Sequence, residues 1–141
     1  MTLGSVRHAV RIRRPADEVW RLAGDPARLA EWFPGITSST VEGDVRTVTT
    51  GTGLTLREEI LVNDPVQRRF QYRITAPIVR DHRGTLDVID LGDGTTLVVY
   101  ATDADPRTMA LTIGGGTGGA LDELRRLLED EAPGGPVGGT D

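Results

Sequence analysis

The sequence predicts an α+β fold in which a seven-stranded antiparallel sheet is covered by one long C-terminal helix. Two short helices are expected between the first and second strands. Seven short segments alternate between apolar and polar residues, and most connections between them are tight turns, while leucines recur at helical spacing near the end of the chain. With 141 residues, the chain is long enough for one domain with a single core, which we expect to span residues 1–131.

The first strand is predicted at residues 5–13, "SVRHAVRIR", where apolar residues and His8 alternate with arginines. Such alternation is typical of a strand that buries one face. The two short helices follow at residues 15–25 and 25–33. Each has a proline at its first position, and Asp25 is a good N-cap for the second helix.

Six further strands are predicted between residues 36 and 103. Turn signals rich in Gly, Asp, Asn and Pro separate them, and such short connections favour an antiparallel meander. A sheet of this size has an apolar face that needs a cover, so we expect the long helix to lie across it. The segments are 36–42, 45–50, 54–62, 68–76, 82–91 and 95–103.

The last predicted element covers residues 106–131 and ends as an amphipathic helix, with four leucines on one face between positions 121 and 128. The glycine-rich stretch Gly114–Gly119 either belongs to this helix or breaks the chain just before it, because glycine lowers helix stability by about 1 kcal/mol relative to alanine. Residues 132–141, "APGGPVGGTD", are predicted to form a flexible tail.

Composition excludes several classes of function. The chain has no apolar run near the roughly 20 residues that span a bilayer, and its first residues do not resemble a signal peptide, so we expect a cytoplasmic protein without a membrane segment. The absence of cysteine excludes disulfides and thiolate chemistry, and the absence of lysine excludes Schiff bases. A net charge of −5, with arginines in separate pairs, argues against a nucleic-acid partner.

One carboxylate lies among aliphatic side chains. In "LTLREEILV", residues 54–62, the even positions hold Leu54, Glu58 and three further aliphatics, whereas Glu59 has the opposite parity. Glu58 and Glu59 therefore cannot form a paired-carboxylate site. A buried carboxylate must be hydrogen-bonded, paired, protonated or hydrated. Glu58 is thus a candidate for the wall of a cavity, although it could instead reach water at a frayed strand end.

Four more residues are candidates for ligand binding. Tyr72 shares a predicted inward face with Phe70, and both His82 and His8 fall on apolar faces of their strands, while Trp32 could lie at a cavity mouth. An apolar pocket with a few convergent polar groups is the usual form of a small-molecule site. Structural alternatives exist for each: a core tyrosine with its hydroxyl at the rim, a solvated loop histidine at 82, and packing roles for the other two.

Metal and cofactor sites are not expected. Two histidines and no cysteine do not form a metal-binding pattern. The stretch "GGGTGG" contains the spacing of a dinucleotide-binding loop, but a second strand and an acidic residue about 20 positions on are missing, since the chain runs into its Pro/Gly-rich end.

The order of elements, together with four segments, resembles the START/Bet v 1-like superfamily, in particular its bacterial polyketide cyclase/dehydrase and lipid-transport group. The segments are 13–36, 53–74, 82–89 and 118–129. The resemblance implies a helix-grip fold, in which a curved sheet wraps the C-terminal helix and leaves a cavity between them. Members of this superfamily bind lipids, hormones or polyketides, some catalyse cyclisation or dehydration, and others are chaperone cofactors or toxins.

Three functions therefore remain open from the sequence. The first is a binding or carrier protein for a hydrophobic small molecule. The second is a cyclase/dehydratase-type enzyme, with Glu58 or His82 as general acid/base and Tyr72 polarising a carbonyl group. The third is a protein-interaction module, which would be favoured by a closed interior and an exposed apolar surface. The sequence leaves the oligomeric state undetermined.

Overall fold

Seven strands form one antiparallel sheet in the computed structural model, which describes residues 2–130. Their order across the sheet is β1-β7-β6-β5-β4-β3-β2, so strands β2 to β7 form a meander and β1 pairs with the last of them. The predicted α+β fold is thereby confirmed. The strands are β1 Gly4–Ile12, β2 Ile36–Glu42, β3 Val45–Thr50, β4 Thr55–Asp64, β5 Arg69–Ile74, β6 Asp81–Asp90 and β7 Thr96–Asp105.

Two short helices join the edge strands β1 and β2, as predicted. They are the α-helix α1, Ala16–Ala23, and a 3₁₀ helix, Pro26–Glu31. The side chain of Asp25 caps the 3₁₀ helix by accepting a hydrogen bond from the Ala27 N–H at 3.0 Å. The buried face of α1 rests near β6, and the 3₁₀ helix packs against β2.

Two irregularities in register bend the sheet. One lies in β2 between Ile36 and Ser38, and the other in β4 between Ile60 and Val62. An extra residue on one strand increases local twist and curvature. The strict inward parity predicted for residues 54–62 is wrong at Val62, which the irregularity in β4 places opposite Gln71 on the outer face. It is also wrong at Leu54, which precedes β4 and is 53% exposed. Its backbone belongs to the β3–β4 turn, where its carbonyl accepts a hydrogen bond from the Thr50 N–H.

The C-terminal helix α2 extends over Arg107–Asp130 and contains the whole glycine-rich stretch. Two of these glycines allow close packing on β1. A Cβ atom at Gly114 would lie 2.9 Å from the Cβ of Val6, and one at Gly118 would lie 3.0 Å from Nδ1 of His8. The missing side chains therefore let the helix axis approach the sheet more closely than alanine would permit.

The sheet is not covered evenly. Helix α2 packs chiefly against β1 and β7, so the concave face over β3, β4 and β5 is left without a helix directly upon it. This uneven cover is the origin of the cavity in the expected helix-grip arrangement. No helix within residues 2–130 combines the length and apolar character needed to cross a membrane. The predicted flexible tail, 132–141, lies outside the described residues.

Candidate functional site

A cavity of about 310 Å³ lies between the sheet and α2. Its walls are mostly apolar, and its mouth is formed by exposed residues of the segment after the 3₁₀ helix, the β5–β6 connection and α2. The lining residues with polar side chains are Glu58 on β4, Tyr72, Tyr100, Thr50 and Thr112. The apolar wall includes Leu29, Val48, Leu56, Ile74 and Ile113, and the mouth includes Pro34, Gly35, Ile78, Thr112 and Gly116.

Glu58 is held by a buried ion pair. The sheet register places it opposite Arg46 of β3, and the guanidinium Nε donates a hydrogen bond to Glu58 Oε1 at 2.6 Å. The two side chains are 6% and 3% exposed. Burial raises the pKa of the Glu58 carboxyl above its ordinary value, although the charge and hydrogen bond of Arg46 act in the opposite direction. Glu59 lies on the other face and pairs with Arg73.

Arg46 is the charge partner of Glu58 and does not line the cavity. Its guanidinium carbon lies 4.8 Å from the ring centre of Tyr72 and 5.1 Å from that of Phe70, which is a cation–π arrangement. Its Nη2 atom is buried and has no hydrogen-bond partner among residues 2–130. Glu58 contacts the cavity but Arg46 does not, so the accessible end of the pair is the carboxylate.

The hydroxyl groups of Tyr72 and Tyr100 are 2.7 Å apart and hydrogen-bonded to each other. The rings belong to β5 and β7, and they meet across Gly84 of the intervening strand β6. A Cβ atom at Gly84 would lie 2.5 Å from the Tyr72 ring, so glycine is required there. Burial raises the pKa of Tyr100 to about 12 and that of Tyr72 well above its ordinary value, so both phenols are neutral at pH 7.

His82 is buried beside the Tyr72 ring but does not contact the cavity. Its Nδ1 accepts a hydrogen bond from the Ile74 N–H at 3.0 Å, at the end of β5 where pairing with β6 stops. Burial lowers the pKa of His82 to about 4, so the ring is neutral and carries its proton on Nε2. In this position His82 joins two strands and does not reach a bound molecule.

His8 and Trp32 are also absent from the cavity wall. His8 is half-buried on β1 under Gly118 of α2. Trp32 is 2% exposed and packs against the rings of Phe33 and Tyr100, with centroid distances of 6.1 and 6.3 Å. Of the five residues predicted from the sequence, the structure therefore brings Glu58 and Tyr72 together at the cavity, and it places the other three behind or beside it.

Sequence reasoning missed Arg46 and Tyr100. In "VRTVTT", residues 45–50, valine occurs on both parities, so the alternation does not reveal the buried face. The turn signal Gly51-Thr52-Gly53 did hold the necessary information. Because antiparallel positions at equal distance from a turn centre face each other, a turn centred on Thr52 places Arg46 opposite Glu58. Tyr100 meets Tyr72 from two strands away, which no local pattern indicates.

Comparison with known proteins supports this architecture. A family model described as polyketide cyclase / dehydrase and lipid transport matches residues 4–129. No curated protein matches the chain significantly. Many solved structures are similar in fold, among them the following three. The protein XoxI from Bacillus cereus has a TM-score of 0.84 and 24% identity, over 92% of this chain and 99% of that one.

The second is norcoclaurine synthase from Thalictrum flavum in complex with dopamine and hydroxybenzaldehyde, with a TM-score of 0.73 and 15% identity over 94% of this chain and 90% of that one. The third is the di-domain ARO/CYC BexL from the BE-7585A biosynthetic pathway, with a TM-score of 0.76 and 20% identity over 92% of this chain and 48% of that one. At these identities the likeness concerns the fold.

Proposed function

Because the chain belongs to the polyketide cyclase/dehydrase and lipid transport family, we propose that it binds a small hydrophobic molecule in the cavity between the sheet and α2. The observation that carries this proposal is the cavity itself, with apolar walls and one group of polar atoms at Glu58, Tyr72 and Tyr100. Apolar walls supply affinity through surface burial, and a few fixed polar groups orient the bound molecule.

The size of the cavity restricts the ligand. Small-molecule sites are commonly about 300–1,000 Å³, and about 310 Å³ lies at the lower end of that range. A compact ring compound or a short acyl chain suits this volume, whereas a two-chain lipid would have to leave most of its length outside. The exposed residues at the mouth provide a route of entry.

An enzyme of the cyclase/dehydratase type is the second candidate. A carboxyl group whose pKa is raised by burial lies at the same cavity as a hydroxyl pair that could donate a hydrogen bond to a carbonyl oxygen. Glu58 would then take up a proton while the tyrosines polarise the carbonyl group. His82, the other acid/base candidate, lies away from the cavity, so this chemistry would depend on Glu58. A purely protein-interaction role has less support, because the cavity is open.

Fluorescence titration with N-phenyl-1-naphthylamine, a neutral apolar probe, tests the binding function. We expect saturable binding to the wild type and a loss of at least about tenfold in affinity for Gly116→Leu, because position 116 faces the cavity beside Phe33 and a leucine there would fill it. Gly119→Leu is the matched control, since a side chain at position 119 meets open space on the same helix.

Native mass spectrometry of the purified protein would complement the titration by detecting a molecule that copurifies. Equal probe affinity in the wild type and Gly116→Leu would show that binding occurs elsewhere and would contradict the proposal. Failure of the wild type to bind the probe, with no copurifying ligand, would contradict it as well.

A further inference from the structure

We propose that the cavity selects an uncharged ligand that carries a hydroxyl group on an apolar ring or chain, and that it rejects carboxylates of the same shape. This inference rests on the proposed binding function and names the chemical class of the ligand. It follows from which polar groups line the cavity, namely the Glu58 carboxylate and the Tyr72–Tyr100 pair, and from the absence of Arg46 from the lining.

Glu58 offers an acceptor to the ligand. Arg46 occupies one carboxylate oxygen, Oε1, and the other oxygen has no hydrogen-bond partner among residues 2–130. Because Glu58 is 5% exposed and lines the cavity, a bound molecule has direct access to that carboxylate. An apolar ligand that displaces water from this oxygen would leave it without a partner, which is unfavourable, whereas a ligand hydroxyl that donates to it satisfies it.

The tyrosine pair offers a donor. Two hydroxyl groups that are hydrogen-bonded to each other use one of their two hydrogens, so one O–H remains for a third group. Both rings line the cavity, and both phenols keep their protons at pH 7. A ligand hydroxyl that accepts from this O–H and donates to Glu58 would satisfy both sides of the site with one functional group.

The residues that line the cavity include no positively charged side chain that could bind an anionic ligand. The positive charge that could attract it belongs to Arg46, which does not line the cavity. The Arg46 side chain is 3% exposed, donates to Glu58 and packs on the Tyr72 ring. A carboxylate entering the cavity would therefore meet the carboxylate of Glu58 before any cation. Two like charges in a site of low dielectric repel each other strongly.

Three naphthalenes of nearly equal shape test the inference on the wild-type protein. They are 2-naphthol, 2-naphthoate and 2-methylnaphthalene, each measured at pH 7 by displacement of N-phenyl-1-naphthylamine. We expect 2-naphthol to bind at least about tenfold more tightly than either of the others, because a hydrogen bond to a charged group is stronger than one between neutral groups.

A double variant identifies the group responsible. Arg46→Met/Glu58→Leu replaces the buried pair with apolar side chains, a change that buried ion pairs often tolerate. We expect this variant to lose the preference for 2-naphthol over 2-methylnaphthalene, because the ligand hydroxyl then has no carboxylate to donate to. Arg73→Met/Glu59→Leu removes the same kind of pair from the opposite face of the sheet and should leave the preference unchanged.

The outcomes separate the two proposals. If 2-naphthoate or 2-methylnaphthalene binds as tightly as 2-naphthol, the hydroxyl preference is overturned while ligand binding stands. If a folded Arg46→Met/Glu58→Leu protein still prefers 2-naphthol, the role of Glu58 as the acceptor for the ligand hydroxyl is likewise overturned. If neither the fluorescent probe nor any naphthalene binds, both proposals are overturned together.

Discussion

At the scale of single residues, Arg46 and Glu58 depend on each other. Both side chains are almost fully buried, and their hydrogen bond connects neighbouring strands β3 and β4. Removal of one partner leaves an uncompensated charge in an apolar environment, whereas removal of both leaves none. The pair should therefore contribute little net stability but impose a large penalty when it is broken.

We expect Arg46→Met alone to lower the free energy of unfolding by about 3 kcal/mol or more, and Arg46→Met/Glu58→Leu to lower it by much less than the sum of the single changes. Urea denaturation at pH 7 measures the free energy of unfolding of the wild type, of each single variant and of the double variant. Arg73→Met, which breaks the exposed pair with Glu59, should change stability by less than about 1 kcal/mol. Additive effects of the two buried substitutions would disagree with this account.

His82 makes stability depend on pH. Its folded-state pKa of about 4 lies below the unfolded value of about 6.5, because burial disfavours the charged ring and the nearby Asp81 and Asp103 compensate only in part. Above pH 6.5 the neutral ring makes its full contribution to the free energy of unfolding. This contribution is lost as the pH falls toward 4, since the unfolded chain then takes up the proton more readily.

Between pH 7 and pH 4, protonation linked to His82 is expected to lower the free energy of unfolding by on the order of 3 kcal/mol. Denaturation of the wild type and of His82→Asn across this range isolates it, because asparagine can still accept from the Ile74 N–H but does not titrate. The difference in unfolding free energy between the two proteins should shrink as the pH falls. A difference that stays constant with pH would rule out a buried neutral histidine.

At the scale of elements, the glycines of α2 have three different roles. Gly114 and Gly118 allow the helix to approach β1, Gly116 leaves space at the cavity, and Gly115 and Gly119 face open space. Only the first two roles require the absence of a side chain. The last two glycines weaken the helix without a visible structural benefit.

Two alanine substitutions on α2 should therefore have opposite effects. Gly119→Ala is expected to raise the free energy of unfolding by about 0.5–1 kcal/mol, as helix propensity predicts. Gly114→Ala should lower it by about 1 kcal/mol or more, because the new Cβ would lie 2.9 Å from Val6 and force the helix away from the sheet. Thermal or urea melts of the two variants provide the comparison. Equal stabilisation by both would mean that the close approach does not matter.

At the scale of the whole molecule, the cavity results from uneven cover of one sheet. Helix α2 lies along β1 and β7, the 3₁₀ helix lies on β2, and strands β3, β4 and β5 supply most of the sheet residues that line the cavity. The register irregularity between Ile60 and Val62 of β4 is of the kind that increases the local twist and curvature of a sheet. The space is therefore a property of the fold, and the residues that line it come from elements throughout the chain.

The order and type of the elements could be predicted because each depends on local signals. Strands of alternating polarity, turn residues and a leucine stripe act within about ten residues of chain, and the structure confirms them. Glu58 was found in the same way, from one polar residue in an apolar row. Leu54 and Val62 show the limit of parity. Leu54 belongs to a turn, and the irregularity before Val62 reverses the alternation of side chains within the strand.

The sequence by itself determined the architecture and a buried acid, because periodicity and turn chemistry are properties of neighbouring residues. Only the tertiary structure decided what surrounds that acid. The partner Arg46 depends on strand register, the Tyr72–Tyr100 contact depends on two strands meeting across Gly84, and the removal of His82 from the cavity depends on where β5 pairing ends. Each of these contacts joins residues from different strands, and it is the register and packing of the sheet that bring them within a few ångströms of each other.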